Sequence, residues 1–223
     1  MTPNAISSSA WRLYVIVDRA AAGSRDPVDI GAAAVRGGAD AIQLRGKSST
    51  TRQLLDDAIR LLRVTRPSGI PLIINDRADV ARASGADGVH VGQDDLPVAA
   101  ARALLGPGRL VGKSTHSLEQ AIAAEAEGAD YIGVGPLFAT PTKPDYFSVG
   151  LALIGQVHGR VRVPTVCIGG IEPSNLEAAR RSGARCVAVV RAVCAAADPE
   201  AATRALKQGI MRASGTPRSS TRV

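Results

Sequence analysis

Aromatic side chains are scarce: Phe, Trp and Tyr together make up 3% of the 223 residues. So few rings cannot supply the stacking platforms on which single-stranded RNA is held, and the core has to be aliphatic. Cysteine is nearly absent as well. Cys167, Cys186 and Cys194 are odd in number and show no C-x-x-C or other metal spacing. Cys167 and Cys186 lie in apolar runs, where a free thiol behaves as a small hydrophobe, and a reducing cytoplasm suits such a set. No apolar run reaches the roughly 18 residues of a membrane span, and the opening M-T-P-N-A-I-S-S-S-A lacks the basic-then-apolar order of a signal peptide. The net charge is +7 and the pI about 9.9, yet no five basic residues run together. Arg60, Arg63 and Arg66 share one helical stretch, and Arg212, Arg218 and Arg222 lie near the end. Such scatter reads as solvated faces with a few cations left over for an anionic small molecule, with no nucleic acid and no membrane as partner.

What is present alternates. Short β-rich runs (Leu13–Asp18, 39–45, Pro71–Ile74, Asp87–Val91, Arg109–Val111, Asp130–Val134, Pro164–Ile168, Arg185–Val190) are separated by stretches of helical period. Asp26-Pro27 is a helix start, with Asp as N-cap and Pro at the first turn. Thr50 to Val64, Ala78 to Ser84, the stretch opened by Pro97, Ser117 to Glu127, Gly150 to Val157, the stretch opened by Pro173-Ser174, and Asp198 to Met211 read as further helices. Ser117 and Gln120 form a candidate capping box. A faint repeat recurs at Gly38-Ala39-Asp40, Gly85-Ala86-Asp87, Gly128-Ala129-Asp130 and Gly183-Ala184-Arg185, each after a helix and before an even-numbered strand. A left-handed helix C-cap needs such a glycine. Eight strands and helices in about 200 residues predict an α/β fold, a single (β/α)8 TIM barrel. The barrel would span 11–212, with a flexible arm at 1–10 and a disordered tail at 213–223. A doubly wound open sheet is the alternative, but G-x-G-x-x-G after the first strand is missing.

Barrel chemistry sits at the carboxyl ends of the strands, and reactive side chains gather there. Strand two ends in Gln43-Leu44-Arg45-Gly46-Lys47, whose alternation puts an amide and two cations on one side. Strand three ends in Asn75-Asp76-Arg77, strand four in His90 to Asp95, and strand five in Lys113-Ser114-Thr115-His116. After strand six come Thr140, Thr142 and Lys143 between prolines, a set of donors suited to phosphate. Asp76 with Asp94 or Asp95 is a candidate Mg2+ site; the competing reading has Asp76 paired with Arg77 or capping the next helix, and Asp95 capping the helix opened by Pro97. Gly169-Gly170 permits backbone N–H groups to approach phosphate. His90 and His116, lacking an evident carboxylate partner, are expected to be structural, His158 to lie on a helix surface, and Trp11 to pack the amino end. No Ser-His-Asp order or activated cysteine is visible, which disfavours covalent catalysis.

These motifs, Q-L-R-G-K (43–47), N-D-R (75–77), H-V-G-Q-D-D (90–95), S-T-H (114–116), G-P-L-F-A-T-P-T-K (135–143), I-G-G-I (168–171) and V-A-V-V-R (187–191), resemble those of the thiamine-phosphate synthase family. The resemblance covers about Leu13 to Val193. It implies an enzyme of the transferase class that joins 4-amino-5-hydroxymethyl-2-methylpyrimidine diphosphate to a thiazole phosphate and releases pyrophosphate. It further implies that Gln43, Leu44, Arg45, Gly46, Lys47, Asn75, Ser114 and Lys143 hold the pyrimidine diphosphate. Arg45, Lys47, Ser114 and Lys143 would serve catalysis. Asp76 and Asp95 would bind Mg2+, and Thr140, Thr142, Gly170 and the backbone of Val190 and Arg191 would hold the thiazole phosphate. The family usually has Ser at the position of Arg191. A thiazole tautomerase of the same fold would not need the diphosphate cradle or the paired aspartates, and intact reactive positions argue against a non-catalytic barrel that senses thiamine intermediates. A homo-oligomer is left open.

Overall fold

Eight β-branched, apolar runs pair in parallel and close on themselves: Leu13–Asp18 (β1), Ala41–Arg45 (β2), Leu72–Asn75 (β3), Gly88–Val91 (β4), Leu110–Thr115 (β5), Tyr131–Val134 (β6), Thr165–Ile168 (β7) and Val187–Val189 (β8). Each strand pairs with the next in sequence, and β8 returns to β1. The computed structural model describes residues 8–140 and 147–212. Helices cover the outside: Arg19–Ala22 (α1), Pro27–Arg36 (α2), Thr51–Thr65 (α3), Ala78–Ser84 (α4), Val98–Leu105 (α5), Leu118–Ala126 (α6), Ala152–His158 (α7), Leu176–Arg181 (α8), Arg191–Cys194 (α9) and Pro199–Met211 (α10). The expected TIM barrel is therefore the observed fold.

The core has two layers, because successive strand side chains point to opposite faces. Val15 and Val17 of β1, Ile42 and Leu44 of β2 and Ile74 of β3 face the helices in a large aliphatic layer. Tyr14, Ile16, Ile73, Tyr131 and Ala188 face the barrel axis with Trp11 beneath them. Trp11 packs the amino end as expected, edge-on to Tyr131 with centroids 5.3 Å apart.

The Gly-Ala-Asp repeat has a second function that spacing does not reveal. Gly38, Gly85, Gly128 and Gly183 all have positive φ, as a left-handed turn demands. The aspartates then reach across the base. Asp40 accepts from the Leu13 N–H at 2.9 Å, Asp87 from Leu72 at 2.8 Å and Asp130 from Val111 at 2.6 Å. Each returns a bond from its own N–H to that residue's carbonyl. Each thus staples the start of an odd strand to the even strand that follows it, and only the fourth copy, with Arg185, departs. Asp130→Ala should leave the Val111 donor without this acceptor and cost about 1–3 kcal/mol. A lowered urea midpoint would show it, while exposed Glu127→Ala should stay within about 0.5 kcal/mol.

Some boundaries differ from expectation. Ser8–Ala10, expected in the arm, form a 3-10 turn, and Ser8 Oγ donates to the Asp130 carbonyl. The rest of the arm and the tail lie outside the described residues. β5 runs on to Thr115, since pairing with β6 outweighs the weak strand preference of Gly112 and Lys113. The box at Ser117 is half closed: Ser117 accepts from Gln120 N–H, but the Gln120 side chain takes the His116 N–H instead. The complete box is at Thr50 and Gln53. α8 begins at Leu176, later than Pro173-Ser174 implied. The four-residue helices α1 and α9 are too short to show a period.

Candidate active site

A cavity of about 600 Å3 opens at the carboxyl ends of the strands, a size typical of small-ligand sites. Its wall joins Gln43, Arg45, Asn75 and Ser114 on one side to Gly170 and Arg191 on the other. The Leu44 side chain is buried in the outer aliphatic layer, because it alternates with Gln43 and Arg45. Only its backbone can serve a ligand. Gly46 follows in the turn; a Cβ there would lie 2.5 Å from Ser49 Oγ.

The cations at the rim are held by carboxylates. Arg45 pairs with Asp18, its direct neighbour across the β1–β2 pairing. Asp18 is 2% exposed and also accepts from the Ala21 N–H at 3.0 Å, capping α1. Lys47 pairs with Asp76. Asp76 has φ +63°, a left-handed conformation that is uncommon outside glycine and marks a site held by its surroundings. Its N–H donates to the His90 carbonyl at 2.8 Å.

The Asp76 carboxyl lies within hydrogen-bonding reach of Asp95. Burial above all, then the Asp95 carboxyl, pushes Asp76 above the ordinary carboxylate range, and Lys47 partly offsets this. The competing assignments are not what forms: Arg77 pairs with Asp79, and neither α4, with Arg77 at its N-cap position, nor α5, with Pro97 there, has a side-chain cap. Asp95 accepts from Gly92 N–H at 2.7 Å, while Asp94 is exposed. Among the described residues no group of three or more His, Cys, Asp or Glu side chains could cage an ion. Two converging carboxylates are nevertheless what Mg2+ uses when phosphate oxygens and water complete its shell. The raised Asp76 fits that role, since a cation would relieve the repulsion.

Opposite this rim, Gly169 and Gly170 both have positive φ and press on the loop after β6. A Cβ on Gly169 would lie 2.4 Å from Pro136 Cα, and one on Gly170 would lie 2.5 Å from the Ala139 carbonyl oxygen. Thr140 and Arg191 also line the cavity. Val190 precedes α9, whose leading N–H groups lack intrahelical acceptors, as at any helix start. Thr142 and Lys143 lie outside the described residues.

The cavity floor holds residues that sequence reasoning missed. Gln43 Nε2 donates to Tyr14 Oη at 2.8 Å, Tyr14 and Tyr131 hydroxyls meet at 3.0 Å, Tyr131 Oη lies 3.1 Å from His90 Nδ1, and His90 Nε2 lies 2.9 Å from Ser114 Oγ. His90, expected to be structural, links Ser114 to two phenols on the cavity floor. His116 also lines the cavity, its Nδ1 2.5 Å from the Gly135 carbonyl. The signal for Tyr14 was its parity with Ile16 and Asp18. Without a known register, parity did not say which face was inner. The cysteines are inert as expected: burial pushes Cys167 up to about 12, Cys194 up to about 11 and Cys186 higher still.

A family model described as thiamine monophosphate synthase matches residues 13–193. The chain is 49% identical over 198 residues to the thiamine-phosphate synthase of Chloroflexus aurantiacus, covering 88% of this chain and 91% of that protein. It is 51% identical over 195 residues to that of Roseiflexus castenholzii, covering 87% and 86%. Among solved structures, the thiamine phosphate pyrophosphorylase of Pyrococcus furiosus superposes with a TM-score of 0.83 at 35% identity, covering 91% of this chain and 96% of that one.

Proposed function

The chain belongs to the thiamine monophosphate synthase family, and from that premise we propose how its rim carries the reaction. It is a thiamine-phosphate synthase, a transferase, and in our reading its substrates are a pyrimidine diphosphate and a thiazole phosphate. In our reading the pyrimidine ring enters the floor beside Gln43, and its diphosphate meets Arg45, Lys47, Asn75, Ser114 and Lys143. The thiazole phosphate is held by Thr140, Thr142, Gly170 and the backbone of Val190 and Arg191. The carbon–oxygen bond of the pyrimidine methylene breaks and diphosphate leaves with the electron pair. The thiazole nitrogen then attacks the methylene cation. Such a route needs charge neutralised at the departing group and no protein nucleophile. Asp76 and Asp95 would hold Mg2+, which when bound supplies further charge neutralisation at the diphosphate. The observation that carries this reading is the single cavity joining Arg45, Asn75 and Ser114 to Gly170 and Arg191.

Among the described residues no helix is long and apolar enough to cross a membrane. Three buried, unpaired thiols support a reducing cytoplasm.

An assay with both substrates, with and without chelator, tests the proposal. Thiamine phosphate should form and the chelator should abolish it. Lys143→Ala should lower kcat at least about 100-fold, as expected for a group that stabilises transition-state charge. His158→Ala, whose ring bonds Thr165 at 2.7 Å on the outside of the barrel, should change it less than about twofold. Equal losses would rule out the assignment of Lys143.

A further inference from the structure

The bonds on the cavity floor have a direction. An amide nitrogen can only donate, so Tyr14 Oη accepts from Gln43. Tyr131 is then the remaining partner for the Tyr14 proton, and His90 Nδ1 the remaining partner for the Tyr131 proton. His90 accepts at Nδ1, so its ring proton sits on Nε2 and donates to Ser114 Oγ. With that lone pair occupied, the Ser114 hydrogen is left to turn into the cavity that Ser114 lines. Burial pushes both phenols far above their ordinary range, so they keep their protons as links in such a chain.

The fold makes room for this arrangement. Gly112 sits inside β5, where glycine is disfavoured. A Cβ there would lie 2.2 Å from Tyr131 Cζ and 2.5 Å from both Tyr131 Oη and His90 Nδ1, on the link itself.

We propose that Tyr14, Tyr131 and His90 are positioning residues, which fix the His90 proton on Nε2 and thereby aim the Ser114 hydroxyl hydrogen at the substrate diphosphate. The inference rests on the reading above that Ser114 touches that diphosphate. Reversed bonds would instead make Ser114 donate to His90, leaving it an acceptor unsuited to an anion.

Nitrogen-15 NMR of histidine-labelled protein reads the tautomer directly, with His116→Gln and His158→Gln variants assigning the three signals. His90 should show a protonated Nε2 and an accepting Nδ1, with and without pyrophosphate and Mg2+. Tyr131→Phe keeps the ring and removes the link. It should lower kcat about tenfold, change KM for the pyrimidine diphosphate less than about twofold, and erase the tautomer preference. In a Ser114→Ala background the same change should have no further effect on kcat. Tyr14→Phe serves as the second variant should Tyr131→Phe fail to fold, with the same expected pattern. A His90 proton on Nδ1, or an equal loss in the presence and absence of the Ser114 hydroxyl, overturns the proposal. Failure of the wild-type protein to form thiamine phosphate would instead refute the functional reading, since the tautomer is measured without turnover.

Discussion

Arg45→Ala is expected to lower kcat about 100- to 1,000-fold and to destabilise the protein by about 3–5 kcal/mol. The two losses have different causes. The first follows from removing a cation aimed at developing charge, an effect of that size where such donors have been deleted. The second follows from Asp18, which is 2% exposed and would keep a buried carboxylate deprived of its guanidinium partner. A second substitution separates them. Asp18→Asn in the Arg45→Ala background removes the stranded charge and should return much of the stability, read as a urea midpoint. Turnover should stay low, because the cation is still gone. Arg45→Lys should fall between the two, since an ammonium keeps the charge but loses the planar fork. If the double variant recovered turnover with stability, Arg45 would be a structural residue.

Asp95→Asn is expected to act in opposite directions on metal use and on metal-free stability. Loss of one of two carboxylates should reduce Mg2+-dependent turnover at least about 100-fold, since a metal acting on phosphoryl oxygens is worth several kcal/mol. Yet burial first, and the neighbouring Asp95 carboxyl second, raise Asp76 in the fold without a cation, so its ionisation there costs stability. Because its folded value lies above its unfolded one, the folded state holds extra proton in the interval between them. Metal-free stability should therefore fall as pH climbs from the ordinary carboxylate value through the raised one, and Asp95→Asn should soften that fall. At neutral pH in chelator the variant should melt above the parent. Added Mg2+ should stabilise the parent and leave the variant nearly unmoved. A parent with no Mg2+-dependent rise in Tm would remove both aspartates from the metal site.

The fold was legible because its signals are local and repeated. The run Leu13–Asp18 and the stop at Ser84 emerge with the expected bounds, and the Asp26-Pro27 start caps α2 as read. The rim was legible for a similar reason: Gln43 and Arg45 alternate from one strand end, and Asp76 directly follows the end of the next. What could not be read depends on contacts between distant segments. His90 and Ser114 are 24 positions apart, and Tyr14 and Tyr131 are 117 apart. Nothing local distinguishes a histidine that bonds a phenol across a barrel from one that fills a core. The burial of Leu44 follows from strand parity only once the pairing shows which face of β2 is inner.

The aspartate staples lie at the amino ends of the strands, while the groups assigned to the ligands among the described residues lie at the other end. The architecture therefore divides its labour along the barrel axis. The mouth can carry repelling carboxylates and a left-handed aspartate because the hoop is tied shut elsewhere, and exchanging one set of loops for another would leave those ties in place.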